Sequence, residues 1–157
     1  MLQRTVLLAV LVALSMLSTS SSDLFAQEDV IEKRKAIMKA NNEAVSKSIK
    51  KALEEKDYAT IELKAKDIMG GLEKAESLFP KGSTSEKSRA HPDIWEKPEE
   101  FKKSLAKARK AAEALSKAAA AKNEAEVSVK VKELGNTKEG ACGECHKVFR
   151  KDFRKDS

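Results

Sequence analysis

Five consecutive residues near the C-terminus, Cys142-Gly143-Glu144-Cys145-His146, set two thiols and an imidazole three and one positions apart. On a helix, residues three and four apart share a face, so both sulfurs and the ring point to one side. This C-x-x-C-H arrangement suits covalent haem attachment: two thiols can add to the two vinyl groups of a porphyrin while His146 reaches the iron from below. Gly143 is expected to leave room for the ring edge. The chemistry expected is therefore one haem c, bound through Cys142 and Cys145, with His146 as an iron ligand. Rival chemistries fit less well. A structural zinc site wants four Cys or His ligands, and the chain offers two Cys plus His91 and His146, with His146 too close to Cys145 for tetrahedral closure. A thioredoxin-like pair expects a βαβ setting, and no strand pattern exists here. A disulfide three residues long would close a tiny loop and add little stability.

The N-terminus bears on the same question. Arg4 precedes an apolar run from Thr5 to Leu17, broken only by Ser15, and then the small, polar stretch Ser18 to Ser22. That order is an export signal. The run is shorter than the roughly 20 residues a membrane-spanning helix needs. Cleavage is expected after Ala26, which makes residues 1–26 a secretory signal peptide and leaves 27–157 as one domain with one core. Export to the periplasm agrees with the motif, because covalent haem attachment of this type takes place outside the cytoplasmic membrane. The net charge of +6 comes from interspersed acidic and basic residues, unlike the dense Lys/Arg block of a nucleic-acid-binding arm. No Ser-His-Asp set, carboxylate pair or phosphate loop is present, so no independent enzyme is expected.

The elements that must position the motif read as all-α. All three prolines fall in one stretch with Gly82, at Pro80, Gly82, Pro92 and Pro98, while apolar residues elsewhere recur at helical spacing. The first helix is expected over Glu28–Glu55, with Val30, Arg34, Ile37, Met38, Asn41, Val45, Ile49 and Ala52 or Leu53 inward. Asp57 is placed to cap a second helix, whose face Ile61, Ala65, Ile68, Leu72, Ala75 and Phe79 runs to the stop at Pro80. The connection to Pro98 is long for a small domain; Trp95 is expected to anchor it by burial and His91 to be solvated. Pro98 starts a third helix with Phe101, Leu105, Ala108, Ala112, Leu115 and Ala119 inward. Asn123 caps a fourth, with Val127, Val131 and Leu134 inward; Gly135 and Gly140 weaken it before it resumes through Cys142, Cys145, Phe149 and Phe153. These four helices make an antiparallel up-down-up-down bundle. Only 4% of residues are aromatic and many inward positions are Ala, so a flat apolar cofactor is expected to fill space at one end.

Arg34-Lys-Ala-Ile-Met38-Lys39, Leu78-Phe79-Pro80, Ile94-Trp95 and the ending CGECHKVFR, in that order, resemble the class II c-type cytochromes. That family includes cytochrome c prime and its low-spin, methionine-ligated relatives. The likeness covers nearly the whole exported chain, and the C-terminal position of CGECH is part of it. It implies that the Met38 position faces the distal side of the haem. There a Met ligates the iron in low-spin members, whereas a Leu or an unligated Met leaves it five-coordinate in cytochrome c prime. Met69, off the main stripe, is expected in the core. Arg34 on an inward stripe needs a counter-charge, and the resemblance implies a haem propionate as that partner. Arg150 matches the family's C-H-x-x-[FY]-R ending and is expected over the proximal imidazole.

The resulting expectation is a periplasmic electron-transfer haem protein with His146 proximal and Met38 distal. The alternative is a five-coordinate cytochrome c prime type binding nitric oxide or carbon monoxide. The expected partners are periplasmic or membrane-bound redox proteins with acidic docking surfaces, drawn by Lys147, Arg150, Lys151, Arg154 and Lys155. The family's bundles pair through their first two helices, while the outer faces here are heavily charged, so homodimer and monomer are equal readings.

Overall fold

A computed structural model describes residues 21–151, with side chains from residue 27 onward. The expected signal segment and Phe153 therefore fall mainly or wholly outside the described residues. Four helical rods form the bundle. The first is α1 (Ser21–Glu43), continued by a π-helical turn over Ala44–Ile49 and by α2 (Lys50–Glu54). The second is α3 (Tyr58–Glu76), the third α5 (Pro98–Ala120), and the fourth is broken into α6 (Glu124–Gly135) and α7 (Ala141–Phe149). A short α4 (Asp93–Glu96) lies in the long connection between α3 and α5. Among the described residues there is no strand, only an isolated antiparallel bridge between Ala90 and Arg150.

The capping signals act as read. Asp57 accepts hydrogen bonds from the Thr60 backbone N–H at 3.0 Å and the Thr60 hydroxyl at 2.6 Å, satisfying donors that open α3. Asn123 accepts from Glu126 N–H at 3.2 Å and donates back to the Glu126 carboxylate at 3.1 Å. Pro98 stands at the start of α5, where its missing N–H costs nothing. The two short connections end their helices through Lys56 (φ 56°) and Lys122 (φ 53°). Asp57 N–H reaches back to Ala52 O at 2.8 Å and Asn123 N–H to Ala118 O at 3.1 Å, the six-to-one bond of a Schellman ending.

The first rod departs from the expected stripe. Its buried residues are Ile31, Arg34, Ala44, Ile49 and Ala52, while Val30 is only half-buried. Ala44 and Ile49 are five apart, one more than an α-helical turn accommodates; the π turn between them takes up the extra residue and returns the stripe to the core. Neighbouring helices approach this stretch closely. A Cβ on Gly71 of α3 would lie 2.9 Å from Asn41 Oδ1, and one on Gly135 of α6 would run into the Val45 side chain.

The core follows the other three stripes. Ile61, Ala65, Ile68, Leu72 and Ala75 of α3, Phe101, Leu105, Ala108, Ala112, Leu115 and Ala119 of α5, and Val127 and Leu134 of α6 are all buried. Met69 packs against them, as expected. Helix α3 ends at Glu76, with Ser77 as its C-cap, earlier than Pro80. Phe79 nevertheless stays against the core.

Candidate haem site

The fourth rod breaks at Asn136–Gly140. Asn136 Oδ1 accepts from Lys138 N–H at 2.8 Å and Glu139 N–H at 3.3 Å, and Gly140 N–H donates to Asn136 O at 3.0 Å. This turn delivers α7 back to the bundle with Cys142, Cys145 and Phe149 against the core. Gly143 has a task within the protein itself. Its missing Cβ would lie 2.5 Å from Thr137 C and 2.6 Å from Asn136 O, so the glycine also lets α7 pass over the preceding turn. Glu144 projects to solvent and forms an ion pair with Lys107 of α5.

Cys142 and Cys145 are free thiols, half-buried, on the inner side of α7. Burial pushes Cys142 up to about 11, and burial together with the neighbouring Cys142 pushes Cys145 up to about 12. Both are thus protonated thiols in the unmodified chain, unlike the low-pKa thiolate of a disulfide oxidoreductase. His146 is shifted down, chiefly by burial and further by the charge of Arg150, which keeps an imidazole lone pair available to a metal. Arg150 is therefore close enough for its charge to reach the imidazole. Among the described residues, no group of three or more His, Cys, Asp or Glu side chains is placed to hold a metal ion. A zinc site needs such a set; iron held in a porphyrin needs only one or two protein ligands. The donor set of two neutral thiols and one neutral imidazole on a single helical face fits haem c.

Arg34 is buried, at 4% exposure. Its guanidinium donates to Leu78 O at 3.3 Å, to the Ser83 hydroxyl at 3.1 Å, to Ser83 O and to the Ser88 hydroxyl at 3.2 Å. All four acceptors are neutral, and the guanidinium carbon sits 4.7 Å from the centre of the Phe79 ring. Burial lowers its pKa, but an arginine remains charged. Ser83 and Ser88 escaped the sequence reading, because serines in a polar loop give no signal of burial. Phe79 meets Phe101 edge-on at 4.9 Å, and Phe101 meets Phe149 edge-on at 5.2 Å. These rings connect the Arg34 environment to the helix carrying the cysteines.

The long loop is fastened at both ends. Trp95 donates its indole N–H to Phe79 O at 3.2 Å and Pro80 O at 2.9 Å, the anchoring role expected of it. His91 is not solvated: its side chain is 21% exposed, its Nδ1 lies 3.0 Å from Asp93 Oδ1, and its backbone N–H donates to Phe149 O at 2.9 Å. Met38 is half-buried on α1, one turn after Arg34. Two cavities of about 320 and 240 Å³ lie elsewhere, one beside Asn41 and Gly71, the other beside Phe79 and Trp95; Cys142, Cys145 and His146 line neither.

A family model described as cytochrome C' matches residues 29–150, which include the first rod, the long loop and all of CGECH. The chain belongs to the cytochrome c' family. It is 36% identical over 129 residues to cytochrome c-554 of Cereibacter sphaeroides, covering 78% of this chain and 81% of the relative. It is 32% identical over 127 residues to cytochrome c' of Pararhodospirillum photometricum, covering 78% and 97%. The solved cytochrome c' of Thermochromatium tepidum superposes with a TM-score of 0.68 at 25% identity, over 80% of this chain and 98% of that one. Family membership carries the four-helix bundle and a covalently attached haem c. It places the chain among haem-binding proteins that are mainly non-enzymatic.

Proposed function

We propose that this protein is an exported, low-spin electron carrier whose single haem c is attached through Cys142 and Cys145 and ligated by His146 and Met38. The observation that carries the reading is the inner face of α7, where two protonated, half-buried thiols and a neutral imidazole stand at i, i+3 and i+4. Such a group supplies reversible one-electron iron chemistry, and a thioether ligand favours the reduced state relative to a second imidazole. The chain's part is to fix both sides of that group. Helix α7 holds His146 from one side, with Arg150 at the imidazole. Helix α1 presents Met38 one turn beyond Arg34, and Arg34 fastens the loop through acceptors that are all neutral, so that a propionate is its proposed counter-charge. With His146 and Met38 both holding the iron, the group would have no open position for a substrate, which would suit electron transfer rather than catalysis.

Export to the periplasm is supported by the Arg4 to Ser22 pattern. The residues that would begin the exported chain already bind the fold: Gln27 donates to Gly82 O at 2.9 Å and Thr84 O at 2.7 Å, and Glu28 pairs with Lys87 at 2.7 Å. Among the described residues no helix is long and apolar enough to cross a membrane. The partners proposed are periplasmic or membrane-bound redox proteins with acidic surfaces.

Replacing Cys142 and Cys145 together with Ala tests the attachment. The double variant is expected to lose haem staining after denaturing electrophoresis, whereas the unaltered protein keeps it. A double variant that still stains would refute the assignment.

A further inference from the structure

We infer that Ser88, in the long loop, is a positioning residue that sets how α1 and α7 stand to one another, and through them whether Met38 and His146 can hold one iron together. The inference rests on the proposed coordination and adds to it a residue that is neither ligand. Among the described residues, α1 and α7 barely approach each other directly. Their spacing is therefore left to what joins them, and the loop is fastened to both.

On the α1 side the fastening is made by side chains. Gln27 donates to Gly82 O and Thr84 O, Glu28 pairs with Lys87, and Arg34 donates to Leu78 O, to Ser83 and to the Ser88 hydroxyl. On the α7 side it is made by backbone. His91 N–H donates to Phe149 O and Lys151 N–H to Arg89 O, both at 2.9 Å, on either side of the Ala90–Arg150 bridge. The two fastenings meet at Ser88. Its hydroxyl accepts from Arg34 and from Ala90 N–H, each at 3.2 Å, and its carbonyl accepts from Lys151 Nζ at 3.3 Å.

A hydroxyl oxygen carries two lone pairs, and here one serves the cation of α1 while the other serves the residue that pairs with the end of α7. Ser88 is buried, so water does not readily replace a lost partner. Because Arg34 is charged, its bond to Ser88 weighs by roughly tenfold or more in an equilibrium. Met38 follows Arg34 by four residues and His146 precedes Arg150 by four, one helical turn in each case. Slack at Ser88 therefore reaches each proposed ligand through a single turn. Met38 on or off the iron is a two-state equilibrium, and carbon monoxide reacts with the off state, so its rate of uptake scales with that population.

The test uses the haem-loaded protein. Ser88→Ala removes one oxygen and is expected to speed carbon monoxide uptake by the ferrous form about tenfold, to enlarge the high-spin share of the ferric spectrum and to lower the reduction potential. Ile61→Val and Ile61→Ala trim a fully buried side chain in the first turn of α3, the end of that helix away from the loop, and bracket the stability lost in urea. Their uptake should stay within about twofold of the unaltered protein. Uptake that follows stability alone across the three variants, or no change in Ser88→Ala, would overturn the positioning role. Ser83→Ala takes one acceptor from Arg34 and leaves Ser88 in place; it should act in the same direction by a smaller factor, and it decides the matter if Ser88→Ala yields no haem-loaded protein. Prompt, stoichiometric uptake by the unaltered protein would instead remove Met38 from the iron and sink the electron-carrier reading. Ser88 is then judged by hydrogen exchange, where Ser88→Ala should speed exchange within both 27–38 and 141–151; faster exchange confined to the loop would overturn its role.

Discussion

Gly143 lies inside the attachment pentapeptide, yet its work is done against the backbone of Thr137 and Asn136. A side chain there must push α7 off the preceding turn and carry Cys142, Cys145 and His146 with it. Gly143→Ala is expected to cost about 2 kcal/mol or more, seen as a lowered midpoint in urea, and to reduce the yield of haem-loaded protein. Full stability and full loading would show that the turn yields at no cost. At Met38 the expected effect is spectroscopic. Met38→Ala should turn a low-spin spectrum high-spin while leaving the covalent haem stain intact, because the proposed attachment is through α7 and Met38 is on α1. An unchanged spectrum would remove Met38 from the iron.

Among the helices and their connections, the turn after α5 offers a direct check on backbone conformation. Lys122 holds φ at 53°, a region that penalises any residue with a Cβ, and Gly there is expected to stabilise the fold by about 0.5–1 kcal/mol. Chemical denaturation of Lys122→Gly measures it; a loss of stability would mean that the lysine side chain matters more than the strain. The helix starts were legible in sequence because Asp57, Pro98 and Asn123 act on their own next turn. The stripes of α3, α5 and α6 were legible for the same reason, as periodicity is local. What was hidden is tertiary. The π turn at Ala44–Ile49 reconciles α1 with two close neighbours, and no residue in AVSKSI announces it. The proposed attachment residues stand out by type and spacing, but Arg34's acceptors come from a loop 44 to 54 positions away, and Gly143's constraint comes from a turn that sequence marks only by its glycines. The loop itself read as solvent-exposed at His91, although its backbone pairs with the end of α7.

At the scale of the whole molecule, export, haem loading and coordination must agree. The mass of protein recovered from the periplasm should equal residues 27–157 plus one haem; a mass retaining residues 1–26 would contradict export by cleavage after Ala26. The central claim is that Met38 and His146 together saturate the iron, and it is tested most directly by adding carbon monoxide to the purified, reduced protein while recording its optical spectrum. A saturated iron predicts a low-spin ferrous spectrum that carbon monoxide changes slowly or weakly, and that Met38→Ala renders promptly reactive. Rapid, stoichiometric binding by the unaltered protein would contradict it and assign the chain to gas binding at a vacant distal position.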